Sequence, residues 1–162
     1  MIALKRILVP HDFSETSDAA VKYAVALART FGAKLYVLHV SEKVQADMAT
    51  EFPLGLDASM EDAVRERLLK IVTPAEQKEL KPVFEVCSGT PYVEILAYAK
   101  DHDADLIVMG THGRGFVGRV VMGSVAEKVV RYASCPVLTV HSSEHEFVVA
   151  EETAVEPVRV TV

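Results

Sequence analysis

Short apolar runs alternate along the chain with segments of helical spacing. The runs are rich in branched residues and cover residues 4–10, 33–40, 82–87, 105–110 and 136–140. Apolar residues between them recur every three or four positions, which is typical of amphipathic helices. Each strand–helix pair is short, so the crossovers should be right-handed and the strands parallel. The sequence therefore predicts an open α/β fold with a five-stranded parallel sheet and helices on both faces.

Several of the predicted helices carry local start and stop signals. Ser14 precedes the first helix as a side-chain cap, and Gly32 ends that helix. Thr90 is the predicted cap of a later helix, with Pro91 at its first position. Apolar spacing from about residue 60 to 77 predicts one continuous helix. Residues 41–58 have no clean period and are predicted as a loop or a short irregular helix.

Composition excludes several classes of function. The 162 residues carry a net charge of -6, with 7% aromatics and no Trp, so we expect no nucleic-acid partner. No apolar run approaches the length of a membrane span, and residues 1–12 lack the pattern of a signal peptide. Cys87 and Cys135 lie outside any C-x-x-C pattern and are predicted to be buried thiols. Together these features favour a cytoplasmic protein that does not associate with membranes.

The stretch "GRGFVG" at residues 113–118 matches the dinucleotide pattern G-x-G-x-x-G. That pattern belongs in the first β-turn-α unit, and an acidic residue should follow about 20 residues later. Here the stretch follows the fourth strand, and Leu138 stands where the acid is expected, so a dinucleotide-binding site is excluded. A Walker A loop is also excluded, because Arg119 and Val120 replace its Lys and Ser/Thr.

A wider frame around the same stretch has the form G-x2-G-x9-G-[ST]. It comprises Gly110, Gly113, Gly123 and Ser124, with Arg114 and Arg119 inside it as possible charges for a polyphosphate. Glycines there would let a ligand approach the backbone, and N–H groups at the start of the next helix would attract an anion. The alternative is a surface loop before a helix whose cap is Ser124, in a capping box with Glu127. That alternative does not explain five glycines in fourteen residues.

With this motif the chain resembles the ATP-binding branch of the universal stress protein family. The first strand "ILVPHDFSET", the second "LYVLHV" and the end "YASCPVLTV" are also similar to that family. The resemblance covers about residues 3–140. It implies a nucleotide-binding domain over residues 1–141 and a C-terminal extension over residues 142–162.

The resemblance also implies the strand order 3-2-1-4-5 and a ligand crevice between strands one and four. ATP would bind there with Mg²⁺ or Mn²⁺, and Asp12 would lie near the ribose or the metal. Val40 would contact adenine, and Met109 would flank it. His11 stands where a small or hydroxyl-bearing residue is expected, so its side chain either touches the ligand or is solvated. For His112, the alternative to a binding role is that of a polar loop residue. The predicted binding residues are Pro10, His11, Asp12, Val40, Met109, Gly110, Thr111, His112, Gly113, Arg114, Gly123, Ser124 and Val125.

The leading functional hypothesis is an ATP-dependent switch or signalling module in stress response. The sequence has no Ser-His-Asp or Cys-His arrangement in a catalytic context. Two alternatives remain: a slow ATP-hydrolysing enzyme that uses Asp12 and the metal, or a structural dimer with a vestigial nucleotide site. The fifth strand is predicted at a sheet edge, where we expect a homodimer. Residues 142–162 would add one or two strands across that interface.

Overall fold

A computed structural model describes residues 1–42, 58–111 and 122–141. Strands and helices alternate in it as the sequence pattern predicts. The strands are β1 (Arg6–Pro10), β2 (Lys34–Ser41), β3 (Val83–Ser88), β4 (Leu106–Gly110) and β5 (Val137–Val140). The helices are α1 (Glu15–Phe31), α2 (Ala58–Leu69), α3 (Pro74–Leu80), α4 (Pro91–Asp101) and α5 (Ser124–Tyr132).

All five strands form one parallel sheet in the order β3-β2-β1-β4-β5. This confirms the order that the family resemblance implied. Ile7 of β1 lies opposite Leu35 of β2 on one side and Leu106 of β4 on the other. The strand order therefore reverses at β1, and the carboxyl ends of β1 and β4 border a crevice.

Alternate residues of the strands bury two separate cores, one on each face of the sheet. On one face Ile7, Val9 and Val108 pack with the buried side of α1. On the other face Leu8, Ile107 and Met109 pack with α4 and α5. A parallel sheet buried on both faces requires such continuous apolar strands. The centre of β4 is buried accordingly, from Ile107 to Met109.

Helix α1 begins and ends where the sequence predicts. The Ser14 side chain accepts a hydrogen bond from the Ser17 N–H, and Gly32 follows the helix with a left-handed φ of 63°. The Gly32 N–H bonds back to the carbonyls of Ala28 and Arg29. The Ser14 cap therefore fixes the first turn of α1 next to the carboxyl end of β1.

The single helix predicted over residues 60–77 is wrong. Two helices occupy this region, and α3 starts anew at Pro74. Thr73 is its cap: its side chain accepts from the Glu76 N–H while the Glu76 carboxylate accepts from the Thr73 N–H. Proline has no N–H to continue a helix, and a capping box favours a new start. The Thr-Pro-x-Glu pattern was therefore the missed signal.

The prediction that Ser124 caps the last helix is also wrong. Gly123 is the cap residue, and Ser124 is already the first residue of α5. Among the residues that the structure describes, no side-chain hydrogen bond caps this helix, and Glu127 pairs with Arg131 instead of with the start of α5. The first-turn N–H groups of α5 consequently lack the side-chain acceptor that a capping box would supply.

Both cysteines are free thiols, but each is half-buried and not fully buried as predicted. Burial is the main cause that raises the pKa of Cys87 and of Cys135. These thiols are therefore protonated near neutral pH.

Parts of the sequence prediction lie outside the described residues. They comprise most of the predicted 41–58 loop (residues 43–57), the centre of the glycine motif (residues 112–121) and the extension (residues 142–162). In the described ranges, no helix has the length and apolar character that crossing a membrane requires.

Candidate functional site

A cavity of about 600 Å³ lies at the carboxyl ends of β1, β2 and β4. Its volume falls in the range of roughly 300–1,000 Å³ typical of small-molecule sites. Residues at the starts of α4 and α5, and Ser17 of α1, complete its wall. The lining residues are Pro10, His11, Asp12, Ser17, Leu38, His39, Val40, Glu42, Pro91, Ile95, Met109, Gly110, Thr111, Gly123, Ser124, Val125 and Ala126.

Asp12 is held rigidly where β1 ends. Its Oδ1 accepts the hydroxyls of Ser14 and Ser17, both at 2.5 Å, and the Ser14 N–H at 3.1 Å. Burial is the largest influence and favours the neutral acid, but these hydrogen bonds outweigh it and hold the pKa of Asp12 below its ordinary value. Within the described residues Oδ2 accepts no hydrogen bond, so a fixed carboxylate oxygen remains for a ligand.

His11 is buried, with 3% of its surface exposed, so the alternative of a solvated side chain is wrong. Its Nδ1 accepts the N–H of Phe13 at 3.0 Å, which places the ring proton on Nε2, 3.0 Å from Oδ1 of Asp18. Burial lowers the pKa of His11, and the hydrogen bond and charge of Asp18 offset this only in part. A neutral His11 therefore joins the loop after β1 to the first turns of α1.

Phe13 sits at the turn between β1 and α1 with a left-handed φ of 64°. Its ring lies 4.5 Å from the ring of His39, which lines the cavity. Nδ1 of His39 lies 2.8 Å from the carbonyl oxygen of His11 and donates to it. These contacts fix the backbone on either side of Asp12, because the loop after β1 is tied to β2 as well as to α1.

The ends of the glycine motif meet at the cavity. Thr111 donates its N–H to the Val140 carbonyl at 2.9 Å, and the Thr111 carbonyl accepts the Gly123 N–H at 2.6 Å. The Thr111 hydroxyl lies 3.0 Å from Nδ1 of His141. The start of α5 is therefore attached to the carboxyl ends of β4 and β5, and Ser124 and Val125 line the cavity.

Ten of the thirteen predicted binding residues line this one cavity. The remaining three, His112, Gly113 and Arg114, lie outside the described residues. Sequence analysis missed a further set of lining residues, of which His39 and Ser17 are polar and close to Asp12. His39 precedes Val40 at the end of β2, and Ser17 is one turn into α1, so both carried a positional signal. The missed residues are Ser17, Leu38, His39, Glu42, Pro91, Ile95 and Ala126.

The described residues contain no cluster of three or more His, Cys, Asp or Glu side chains that would hold a metal ion alone. Asp12 offers one carboxylate. Mg²⁺ often binds through one or two carboxylates and completes its shell with phosphate oxygens and water. The protein groups here suit a metal that arrives with a phosphate-bearing ligand.

A sequence model described as the universal stress protein family matches residues 3–141. The chain belongs to the universal stress protein family. Universal stress protein MJ0531 of Methanocaldococcus jannaschii is 36% identical over 149 residues, which span 88% of this chain and 85% of that protein.

Solved structures of the family share this fold. The structure of MJ0577 from the same organism has a TM-score of 0.74 at 30% identity and covers 89% of this chain and 100% of its own. Two more distant universal stress proteins were solved with nucleotides. One, with cAMP, has a TM-score of 0.60 at 23% identity and covers 88% of this chain and 100% of its own. The other, from Archaeoglobus fulgidus with dAMP, has a TM-score of 0.57 at 22% identity and covers 86% of this chain and 99% of its own.

Proposed function

We propose that this universal stress protein binds an adenine nucleotide, ATP in particular, in the cavity between β1 and β4. The observation that carries the proposal is the start of α5. Ser124, Val125 and Ala126 occupy its first turn and line the cavity, and within the described residues no side-chain hydrogen bond caps this turn. Uncapped N–H groups and the positive end of a helix dipole favour a phosphate.

The rest of the lining suits the other parts of a nucleotide. Leu38, Val40, Ile95 and Met109 give apolar walls that a base can pack against. Asp12 presents a fixed carboxylate, which suits a ribose hydroxyl or a metal ion carried by the phosphates. The cAMP and dAMP complexes of two distant family members support an adenine nucleotide as the ligand class.

When bound with the nucleotide, Mg²⁺ or Mn²⁺ would neutralise phosphate charge. Asp12 is the residue that would hold it, through Oδ2. His11 supports binding over turnover, because its two ring nitrogens are engaged with Phe13 and Asp18 and neither is left as a base. We therefore propose that ATP acts as the ligand of a nucleotide-dependent switch or signalling module.

Two measurements test this function. Purified protein is denatured and any released nucleotide is identified by chromatography, and ATP, ADP and AMP are titrated calorimetrically with and without Mg²⁺. We expect ATP to bind, with Mg²⁺ strengthening the interaction. Turnover much faster than about one ATP per minute with Mg²⁺ would contradict a switch and support the enzyme alternative. Affinity weaker than about millimolar would support the vestigial site.

The substitution Gly123→Val tests the location. Gly123 has φ -60° and ψ 148°, an extended conformation that valine also adopts, so the change adds bulk at the cavity without backbone strain. Ser134→Val is the matched control, because Ser134 is exposed just beyond the other end of α5. We expect only Gly123→Val to weaken ATP binding. Equal ATP affinity in both variants would refute the placement.

We further propose a homodimer through β5 and residues 142–162. β5 lies at the end of the sheet and bonds only to β4 among the described strands. An edge of this kind can pair with a second copy. Sedimentation velocity on a chain lacking residues 143–162 tests this, and a dimer of undiminished strength would contradict the role of the extension.

A further inference from the structure

A second cavity of about 550 Å³ lies between α1 and the α2–α3 pair, and His11 lines both cavities. This second cavity has no part in the proposed binding of the nucleotide. Its lining combines apolar side chains with several charges. The lining residues are His11, Phe13, Asp18, Val21, Lys22, Val25, Arg67, Lys70, Ile71, Thr73 and Glu76.

Three cations border this cavity: Lys22 on α1, and Arg67 and Lys70 at the end of α2. In the described part of the chain none of them forms an ion pair with a carboxylate. The guanidinium of Arg67 lies over the ring of Phe13, 4.2 Å from its centroid. Such a contact orients the guanidinium and leaves its N–H edges available.

The two carboxylates of the cavity contact neighbouring side chains other than these three cations. Asp18 Oδ1 lies 3.0 Å from Nε2 of buried His11. Glu76 Oε2 accepts the N–H and the hydroxyl of Thr73, and its Oε1 lies 3.8 Å from Arg29. The lining residues therefore include three cations and two carboxylates, which is an excess of one positive charge.

The remaining wall is apolar. Val21 and Val25 are buried in α1, with 5% and 3% of their surfaces exposed, and Ile71 and the ring of Phe13 pack against the same core. We propose that this cavity is a second ligand site, which binds a small organic anion with an aromatic or aliphatic body. The apolar wall would hold the body, and Arg67, Lys70 and Lys22 would hold a carboxylate, sulfonate or phosphate group.

The probe is 8-anilinonaphthalene-1-sulfonate, an aromatic sulfonate whose fluorescence rises on binding. Arg67→Gln/Lys70→Gln removes two cations of the cavity. Arg65→Gln/Lys78→Gln removes two exposed cations, one on α2 and one on α3, that do not line it. We expect the first pair to weaken probe binding about tenfold and the second to change it by less than about twofold. Equal weakening by both pairs would overturn the proposal, because it would report only net charge.

An uncharged probe, N-phenyl-1-naphthylamine, separates charge recognition from a change of shape. We expect its affinity to be the same in wild type and in Arg67→Gln/Lys70→Gln. Parallel loss of both probes in a variant that still unfolds cooperatively would overturn the charge role. Methyl NMR locates the sulfonate: shifts at Val25 and Ile71 support the second site, and shifts confined to Val40 and Met109 contradict it.

Discussion

Gly110 at the end of β4 lies against Thr16 in the first turn of α1. A Cβ added at Gly110 would stand 2.8 Å from the backbone carbonyl carbon of Thr16 and 3.0 Å from the N of Ser17. Backbone atoms cannot rotate away as a side chain does. The first glycine of the motif is therefore required by the packing of α1 on β4, whatever ligand the cavity holds.

We expect Gly110→Ala to lower the free energy of unfolding by about 1–3 kcal/mol, because α1 must shift to admit the methyl group. Gly89→Ala is the matched control. The three atoms nearest to a Cβ there all belong to the flexible side chain of Glu94, so we expect a change within about 0.5 kcal/mol. Urea unfolding of the two variants tests this. Equal losses of unfolding free energy in the two variants would show that the close contact between Gly110 and Thr16 does not restrict residue 110 to glycine.

Two Thr-Pro sequences start helices, but only one uses its hydroxyl. Thr73 accepts the Glu76 N–H, whereas Thr90 makes no side-chain cap bond. We therefore expect Thr73→Ala to cost about 1 kcal/mol and Thr90→Ala less than about 0.5 kcal/mol. Thermal or urea unfolding of both variants measures the difference. A larger loss of stability in Thr90→Ala than in Thr73→Ala would contradict the hydrogen bonds assigned to the two caps.

His11 should make the protein less stable as the solution becomes acidic. Burial lowers its pKa below the ordinary 6.5, so the unfolded chain takes up this proton first. The stabilising contribution of neutral His11 is complete above about pH 6.5 and is lost as the pH falls below it. We expect unfolding free energy to fall more between about pH 7.5 and pH 5.5 in wild type than in His11→Asn. Identical losses would place the titration elsewhere.

Asp12 should contribute a further loss in stronger acid. Its pKa lies below the ordinary 3.8, so its contribution is present above that value and is lost as the pH falls through the folded-state pKa. We expect Asp12→Asn to remove this part of the acid sensitivity. Ser17→Ala, which deletes one of the hydroxyl donors to Oδ1, should reduce it only partly. Urea unfolding across the acidic range measures both. An unchanged profile in Asp12→Asn would contradict the ionised Asp12.

Much of the fold could be predicted because apolar period and turn residues are local properties. The five strands, the Ser14 and Gly32 ends of α1 and the placement of Asp12 at a strand end followed from short stretches of sequence. Strand order came from the family resemblance. The errors at residues 60–77 and at Ser124 arose because two local rules competed: apolar spacing against a Thr-Pro start, and a capping box against a glycine cap.

The sequence by itself determined the alternation of elements, the apolar faces and the residues at the carboxyl ends of β1 and β4. Only the tertiary structure decided that His11 is buried and neutral, and that Thr16 stands over Gly110. Only it brought Lys22 of α1 to the same cavity as Arg67 of α2 and Lys70, which directly follows α2. The physical reason is that burial, charge balance and steric contact depend on neighbours distant in the chain, whereas helix and strand periods depend on neighbours a few residues away.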